Sequence, residues 1–66
     1  MEKDANELAA EVRKYLAESY DVPAHRINEA VDRHAFRVEE GARYNRPADE
    51  VGDEIAGVER WVMKGA

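Results

Sequence analysis

The stretch that decides the fold is LAESYDVPAHRINEAV, residues 16–31. Pro23 divides it, because proline lacks the amide donor that continues a helix and disfavours helical geometry at the residue before it. Proline is also well suited to the first turn of a helix that follows. The stretch therefore predicts two helices that meet across the short connection Tyr20–Pro23.

Upstream of this connection, apolar side chains recur at steps of three and four residues between positions 5 and 19. This spacing places them on one face of a helix. Asp4 precedes the pattern and can accept a hydrogen bond from the first free backbone amides as an N-cap. The sequence therefore predicts a first helix over residues 5–19.

Downstream, the second helix is predicted from Pro23 to His34, and residues 35–44 fit two structures. As a helix they extend one apolar stripe into a rod of about 21 residues, with Glu29–Arg33 and Glu39–Arg43 as ion pairs one turn apart. The stripe comprises Ile27, Val31, Ala35, Val38 and Ala42. As a hairpin, Phe36 and Val38 would face Tyr44 across a tight turn at Glu40-Gly41. We favour the helix because alanine, arginine and glutamate are strong helix formers.

A last helix is predicted after Asn45 as its cap and Pro47 in its first turn, with acids at its start and Arg60 and Lys64 at its end. Its buried stripe is predicted to be Val51, Ile55, Val58 and Val62, with Trp61 widening the apolar face. Gly52 and Gly57 could permit a close helix crossing. The prediction is an all-α, three-helix single domain over residues 1–66, with a helix-turn-helix-like pair and a short β-hairpin wing at 36–44 as the alternative.

Composition limits the class of protein. With 44% apolar and 38% charged residues among 66, the chain is predicted to fold as one small globular domain. It has no cysteine, no apolar run near the ~20 residues of a membrane span, and no export signal at its start. A cytoplasmic location is therefore expected. The net charge is −5, yet residues 22–46 carry five arginines against four acids, so an anionic partner would contact this middle segment.

No catalytic site is predicted. Ser19 is the sole serine, threonine is absent, and no histidine lies close enough in sequence to activate that hydroxyl. His25 and Glu29 lie one turn apart but make only two metal ligands, and His34 is expected to be a half-buried, hydrogen-bonded core residue. The acid pairs Asp49/Asp53 and Glu50/Glu54 match the helix dipole. We expect no metal, cofactor or small-molecule substrate.

Residues 16–31 resemble the helix-turn-helix unit of bacterial winged-helix transcription regulators of the GntR type. Ala17 lets the two helices approach, Val22 fills the turn, and Ile27 and Val31 bury the inner face of the second helix. Asp21 stands at the turn position that the family usually fills with glycine.

In that family the second helix lies in the major groove. The resemblance therefore implies DNA contacts from His25, Arg26, Asn28 and Arg33, residues that include types able to pair with base edges. A wing would bring Arg37, Arg43 and Arg46 near phosphates. The function implied is DNA binding by a transcription regulator.

The alternative is a protein-binding inhibitor or adaptor of the kind that phages and mobile elements encode. Its acidic flanks could imitate a phosphate backbone and occupy a basic groove on a nucleic-acid-binding protein. These acids are Glu7, Glu11, Glu18, Asp49, Glu50, Asp53 and Glu54. In either case, a face of Val58, Trp61 and Val62 is predicted to close a homodimer.

Overall fold

The computed structural model describes residues 3–66, and this part of the chain forms four helices and no regular strand. They are α1 (Ala5–Ser19), α2 (Ala24–Arg33), α3 (Ala35–Arg43) and α4 (Ala48–Glu59). The all-α class is confirmed. The number of helices was predicted as three and is four, and the hairpin alternative for 36–44 is wrong because α3 covers residues 35–43.

Helix α1 begins and ends where the sequence predicts. The carboxylate of Asp4 accepts a hydrogen bond from the backbone N–H of Glu7 at 2.8 Å, which confirms the N-cap. Leu8, Val12 and Leu16 are buried along one face. Helix α1 packs against all three other helices, so it forms the centre of the core.

The connection between α1 and α2 is extended at both of its ends. Tyr20 has φ −121° and ψ 147°, and Pro23 has φ −68° and ψ 152°. Asp21 is not among the described residues with a left-handed backbone, so this connection does not require glycine there. Pro23 is the N-cap of α2, so the helix begins at Ala24, one residue after the predicted start.

The predicted 21-residue rod is broken at His34, which has φ −101° and ψ 28°. Val31, Val38 and Ala42 are buried as predicted, but Ala35 is exposed. His34 is itself only 6% exposed. The turn at this residue places the histidine in the core and keeps the apolar side of α3 against α1.

The link from α3 to α4 is tight. A Cβ atom on Gly41 would lie 2.8 Å from Cγ2 of Val51, so glycine allows α3 to approach α4. Asn45 adopts a left-handed φ of 55° and does not cap α4, contrary to the prediction. Pro47 takes the N-cap position, and no side chain caps this helix.

Helix α4 buries only part of its predicted stripe. Val51 and Ile55 are fully buried, whereas Val58 is 54% exposed and Val62 is 62% exposed. The prediction for the latter two is wrong: Val62 lies beyond the end of α4 at Glu59, and Val58 is on an exposed side of its last turn. Gly52 does mark a close crossing, since a Cβ there would lie 2.7 Å from the Tyr15 ring.

Gly57 does not share this role, because a Cβ there would meet no atom within 4 Å. Within residues 3–66, none of the helices combines the length and the apolar character that crossing a membrane requires.

Candidate protein-binding surface

The exposed side of α2 carries the first group of predicted nucleic-acid contacts. His25, Arg26 and Asn28 are exposed there. Neither His25 nor Arg26 forms an ion pair with any residue in 3–66. The acids Glu29 and Asp32 are exposed on the same short helix, so its outer surface is of mixed charge.

Three other arginines of the middle segment are neutralised by α4. Arg33 pairs with Glu59 at 2.9 Å, and Arg37 lies 3.5 Å from a carboxylate oxygen of Glu54. Arg46 bridges Glu50, at 2.6 Å, and Glu54. These contacts form what we term the paired-arginine row: Arg33, Arg37 and Arg46 with Glu50, Glu54 and Glu59. Phosphates could bind there only in competition with carboxylates already in place.

The local ion pairs predicted along the helices do not form. Arg33 forms its ion pair with Glu59 of α4 and not with Glu29 of its own helix. Arg43 has no ion-pair partner among the described residues. Pairs one turn apart contribute only about 0.3–0.5 kcal/mol, so a neighbouring helix easily supplies a better partner. Arg43 is exposed at the end of α3, distant in the chain from the exposed cations of α2.

His34 connects the break between α2 and α3 to the end of α4. Its Nε2 lies 3.0 Å from Oε2 of Glu59, and its Nδ1 accepts a hydrogen bond from Nε of Arg37 at 3.3 Å. The predicted hydrogen-bonded core role is thereby confirmed, and the side chain is buried rather than half-buried. The hydrogen bond from His34, together with Arg33, holds the pKa of Glu59 below its ordinary value.

This lowered pKa predicts acid sensitivity. A carboxylate whose folded-state pKa is depressed stabilises the fold above its unfolded pKa, here near 4.5, and this contribution is lost as pH falls through the folded-state value. The Glu59→Gln variant should therefore lose stability less steeply than the parent below pH 4.5. Urea unfolding at a series of pH values measures this, with Glu39→Gln as the matched exposed control, which should keep the parental slope.

The acid pairs at the start of α4 have structural roles. Glu50 and Glu54 bind Arg46, while Asp53 accepts hydrogen bonds from Tyr15 at 2.6 Å and from Tyr20 at 2.8 Å. Among residues 3–66 no three histidine or acidic side chains are grouped as metal ligands would be. These carboxylates therefore link α4 to α3 and α1.

The two tyrosines stay protonated over a wide pH range. Burial, followed by the hydrogen bond to Asp53, raises the pKa of Tyr20 to about 12. The same carboxylate raises the pKa of Tyr15, chiefly through its hydrogen bond. Neutral phenols are good donors, so this three-residue cluster holds the end of α1 against α4 at neutral pH.

After α4 the chain folds back over the α1–α2 connection. Arg60 ends the helix with a left-handed φ of 61°, and the N–H of Trp61 donates to the carbonyl of Ala56 at 2.9 Å. The N–H of Asp21 then donates to Val62 at 3.2 Å, and the N–H of Lys64 donates to Ser19 at 2.9 Å. The last residues are thus fixed to the connection by a short antiparallel pairing.

Lys64 acts on a different helix from the one predicted. Its Nζ donates to the carbonyl oxygen of Ala17 at 2.8 Å, in the last turn of α1. Helix α1 has no basic residue of its own in that turn, so the lysine satisfies a carbonyl at the negative end of the helix. The sequence could not show this because the two residues are distant in the chain.

The folded-back segment and the connection enclose a cleft of about 500 Å³, which we call the C-terminal cleft. Arg26 and Arg60 both line it. Trp61, Val62 and Met63 supply its apolar part. Arg60, like Arg26, forms no ion pair with the described residues.

Two of the three predicted interface residues, Trp61 and Val62, line this cleft. Val58 is not among the lining residues and is exposed in the last turn of α4. Trp61 is half-buried against the core, and its indole Nε1 is buried without a hydrogen-bond acceptor in residues 3–66. Met63, 51% exposed, was missed by sequence reasoning, although it directly follows two residues that were selected.

Phe36 and Tyr44 are also exposed and were not predicted as surface residues. The guanidinium carbon of Arg37 lies 5.1 Å from the centre of the Phe36 ring. Tyr44 is the C-cap of α3 and so precedes the start of α4, whereas Met63 follows its end. No family model, curated protein or solved structure matches this chain. The surfaces are therefore interpreted from their own chemistry.

Proposed function

We propose that this protein is a non-enzymatic protein-binding module whose contact surface comprises Val58, Val62 and Met63 together with the C-terminal cleft. The observation that carries the proposal is the exposure of these three side chains, each more than half accessible, at one end of α4. Single exposed apolar residues are common, but a group beside a concave cleft is typical of an interaction site.

The charge arrangement favours a protein partner over a nucleic acid. The paired-arginine row already satisfies three arginines of the middle segment with carboxylates of α4. The net charge of −5 further disfavours contact with a polyanion. A protein partner needs no such basic surplus, because burial of apolar side chains provides its affinity.

DNA binding is the second candidate, supported by the exposure of His25, Arg26 and Asn28 on α2. Its salt dependence separates it from the first. A DNA-binding module should bind a duplex at low salt and lose affinity steeply as salt rises, whereas the protein-binding module should show no such binding. If the bound protein is a second copy of this chain, the two copies would form a homodimer through Val58, Trp61 and Val62.

The test compares a surface variant with a matched control. The tagged protein is used to capture partners, which are then purified and recombined with the parent, with the double variant Val62→Asp/Met63→Asp, and with Tyr44→Asp. We expect the double variant to lose binding and Tyr44→Asp to keep it, because Tyr44 is equally exposed but lies at the other end of α4. Circular dichroism verifies that all three remain folded.

Two results would contradict the proposal. One is a partner retained equally by the double variant; the other is salt-sensitive duplex binding that Arg26→Ala abolishes. Sedimentation velocity at several concentrations identifies the homodimer, which the double variant should dissociate.

A further inference from the structure

We infer that the C-terminal cleft binds an acidic peptide segment of the partner, with a carboxylate held between Arg26 and Arg60 and an adjacent apolar side chain placed on Val62 and Met63. The inference rests on the proposed function and specifies the chemistry of its ligand. It starts from the two arginines of the cleft that have no ion-pair partner among the described residues.

The cations of the cleft differ from most other arginines of the chain. Arg13, Arg33, Arg37 and Arg46 each have a carboxylate partner, whereas Arg26 and Arg60 have none among residues 3–66. Both line the same cleft. Two arginines without partners that border one concave space offer a binding site for a carboxylate, which arginine recognises through paired hydrogen bonds.

The backbone of Arg60 provides a second, independent observation. Its φ of 61° and ψ of 40° lie in the left-handed region that glycine or asparagine usually occupies at the end of a helix. A long side chain adopts this conformation only at an energetic cost. Backbone hydrogen bonds at the end of α4 accompany this turn, and the guanidinium of Arg60 itself makes no hydrogen bond or ion pair within the described chain, so it is available to a ligand.

Trp61 adds an unsatisfied donor. The fold buries its indole N–H without an acceptor, and buried polar groups are rarely left in this state. The N-terminus of α2 borders the same cleft through Pro23, has no side-chain cap, and has no acid in its first turn. The two arginines and the start of α2 therefore present positive charge and donors at the cleft, and the unsatisfied indole N–H belongs to a residue that lines it.

The acids of the cleft determine how strongly an acidic ligand is repelled. Glu59 is engaged by Arg33 and His34, so its charge is compensated. Asp21 has no ion-pair partner in residues 3–66, and it lines the cleft. Its removal should therefore strengthen the binding of an acidic ligand, whereas removal of either arginine should weaken it.

The apolar side chains of the cleft, Val62 and Met63, favour the binding of a peptide over that of a simple anion. Val62 is 62% exposed and Met63 is 51% exposed, and both line the cleft with the two arginines. Inorganic phosphate would leave these side chains in water. A segment in which an acidic residue neighbours a leucine-like residue satisfies the cations and covers the apolar wall together.

The experiment follows the indole N–H signal of Trp61, the sole tryptophan, in two-dimensional NMR spectra of the full chain. The probes are a short capped peptide of alternating glutamate and leucine, the same peptide with lysine for glutamate, inorganic phosphate, and a DNA duplex. We expect only the glutamate peptide to shift this signal and to saturate.

The variants distinguish the contribution of the two cleft arginines from the effect of a change in net charge. Arg26→Gln and Arg60→Gln should each weaken peptide binding about tenfold, because each removes one charge-assisted contact with the carboxylate. Asp21→Asn should tighten it. Arg43→Gln, with the same charge change on an exposed arginine outside the cleft, should bind like the parent.

A further variant separates a binding role from a structural one. Arg60→Gly removes the cost of a left-handed backbone at a residue with a long side chain, so it should raise the urea midpoint of unfolding. The same variant should lower the affinity for the peptide. Equal binding of the lysine peptide, of phosphate or of DNA would overturn the inference, as would an equal loss in Arg43→Gln. If the captured partner depends on Val62 and Met63 but not on the arginines, this inference fails and the proposed function stands.

Discussion

The Leu16→Ala variant should lose about 3 kcal/mol of its free energy of unfolding. Leu16 is fully buried in α1, the helix that packs against all three others, and it lies one turn before the connection to α2. A domain of this size has a total stability of about 3–10 kcal/mol, at roughly 0.05–0.15 kcal/mol per residue. The variant should therefore lose about a third or more of the stability of the domain.

Urea unfolding monitored by far-ultraviolet circular dichroism measures this loss. Val58→Ala is the matched control, since it also shortens an aliphatic side chain, but one that is 54% exposed. Its effect should stay within about 0.5 kcal/mol. Similar losses in the two variants would show that Leu16 does not hold the helices together as the structure indicates.

The Gly52→Ala and Gly57→Ala variants should change stability in opposite directions. Alanine gains about 1 kcal/mol over glycine inside a helix, and Gly57 has open space around the position of a Cβ. A Cβ on Gly52 would lie 2.7 Å from Cδ2 of Tyr15. We expect stabilisation of up to about 1 kcal/mol at Gly57 and a net loss of about 1–2 kcal/mol at Gly52.

The loss at Gly52 arises because the Tyr15 ring cannot move aside freely. Its hydroxyl donates to Asp53 at 2.6 Å, and its ring meets Tyr20 edge to face at 6.4 Å between centres. In a Tyr15→Ala background the obstruction is gone, so Gly52→Ala should then stabilise. Thermal unfolding of the four proteins in this cycle measures the coupling, and additive effects would contradict the assigned contact.

Local features were predicted well because they depend on neighbouring residues. Helix α1 and its Asp4 cap follow from apolar spacing and one side-chain acceptor. The stop at Pro23 follows from the missing amide donor. The break at His34 could not be predicted in this way, because the sequence there continues a helical stripe and the residue that binds the histidine, Glu59, lies 25 positions away.

The candidate site was predicted in part. Val58, Trp61 and Val62 were selected for their apolar character, and their predicted burial in a stripe was wrong for the two valines. Arg26 was selected on the family resemblance, whereas Arg60 was assigned only to the end of a helix. Neither prediction could show that these two arginines border one cleft, since that depends on the segment after α4 folding back over residues 19–21.

The sequence by itself determined the helical class, the first helix with its cap, the extended connection before α2, and the chemical types available for binding. These are set by interactions within one or two turns of chain, which spacing and residue type encode directly. The tertiary structure alone decided which charges remain available, because the nearest carboxylate to an arginine here usually belongs to another helix. It thereby neutralised Arg33, Arg37 and Arg46 and left Arg26 and Arg60 facing a common cleft.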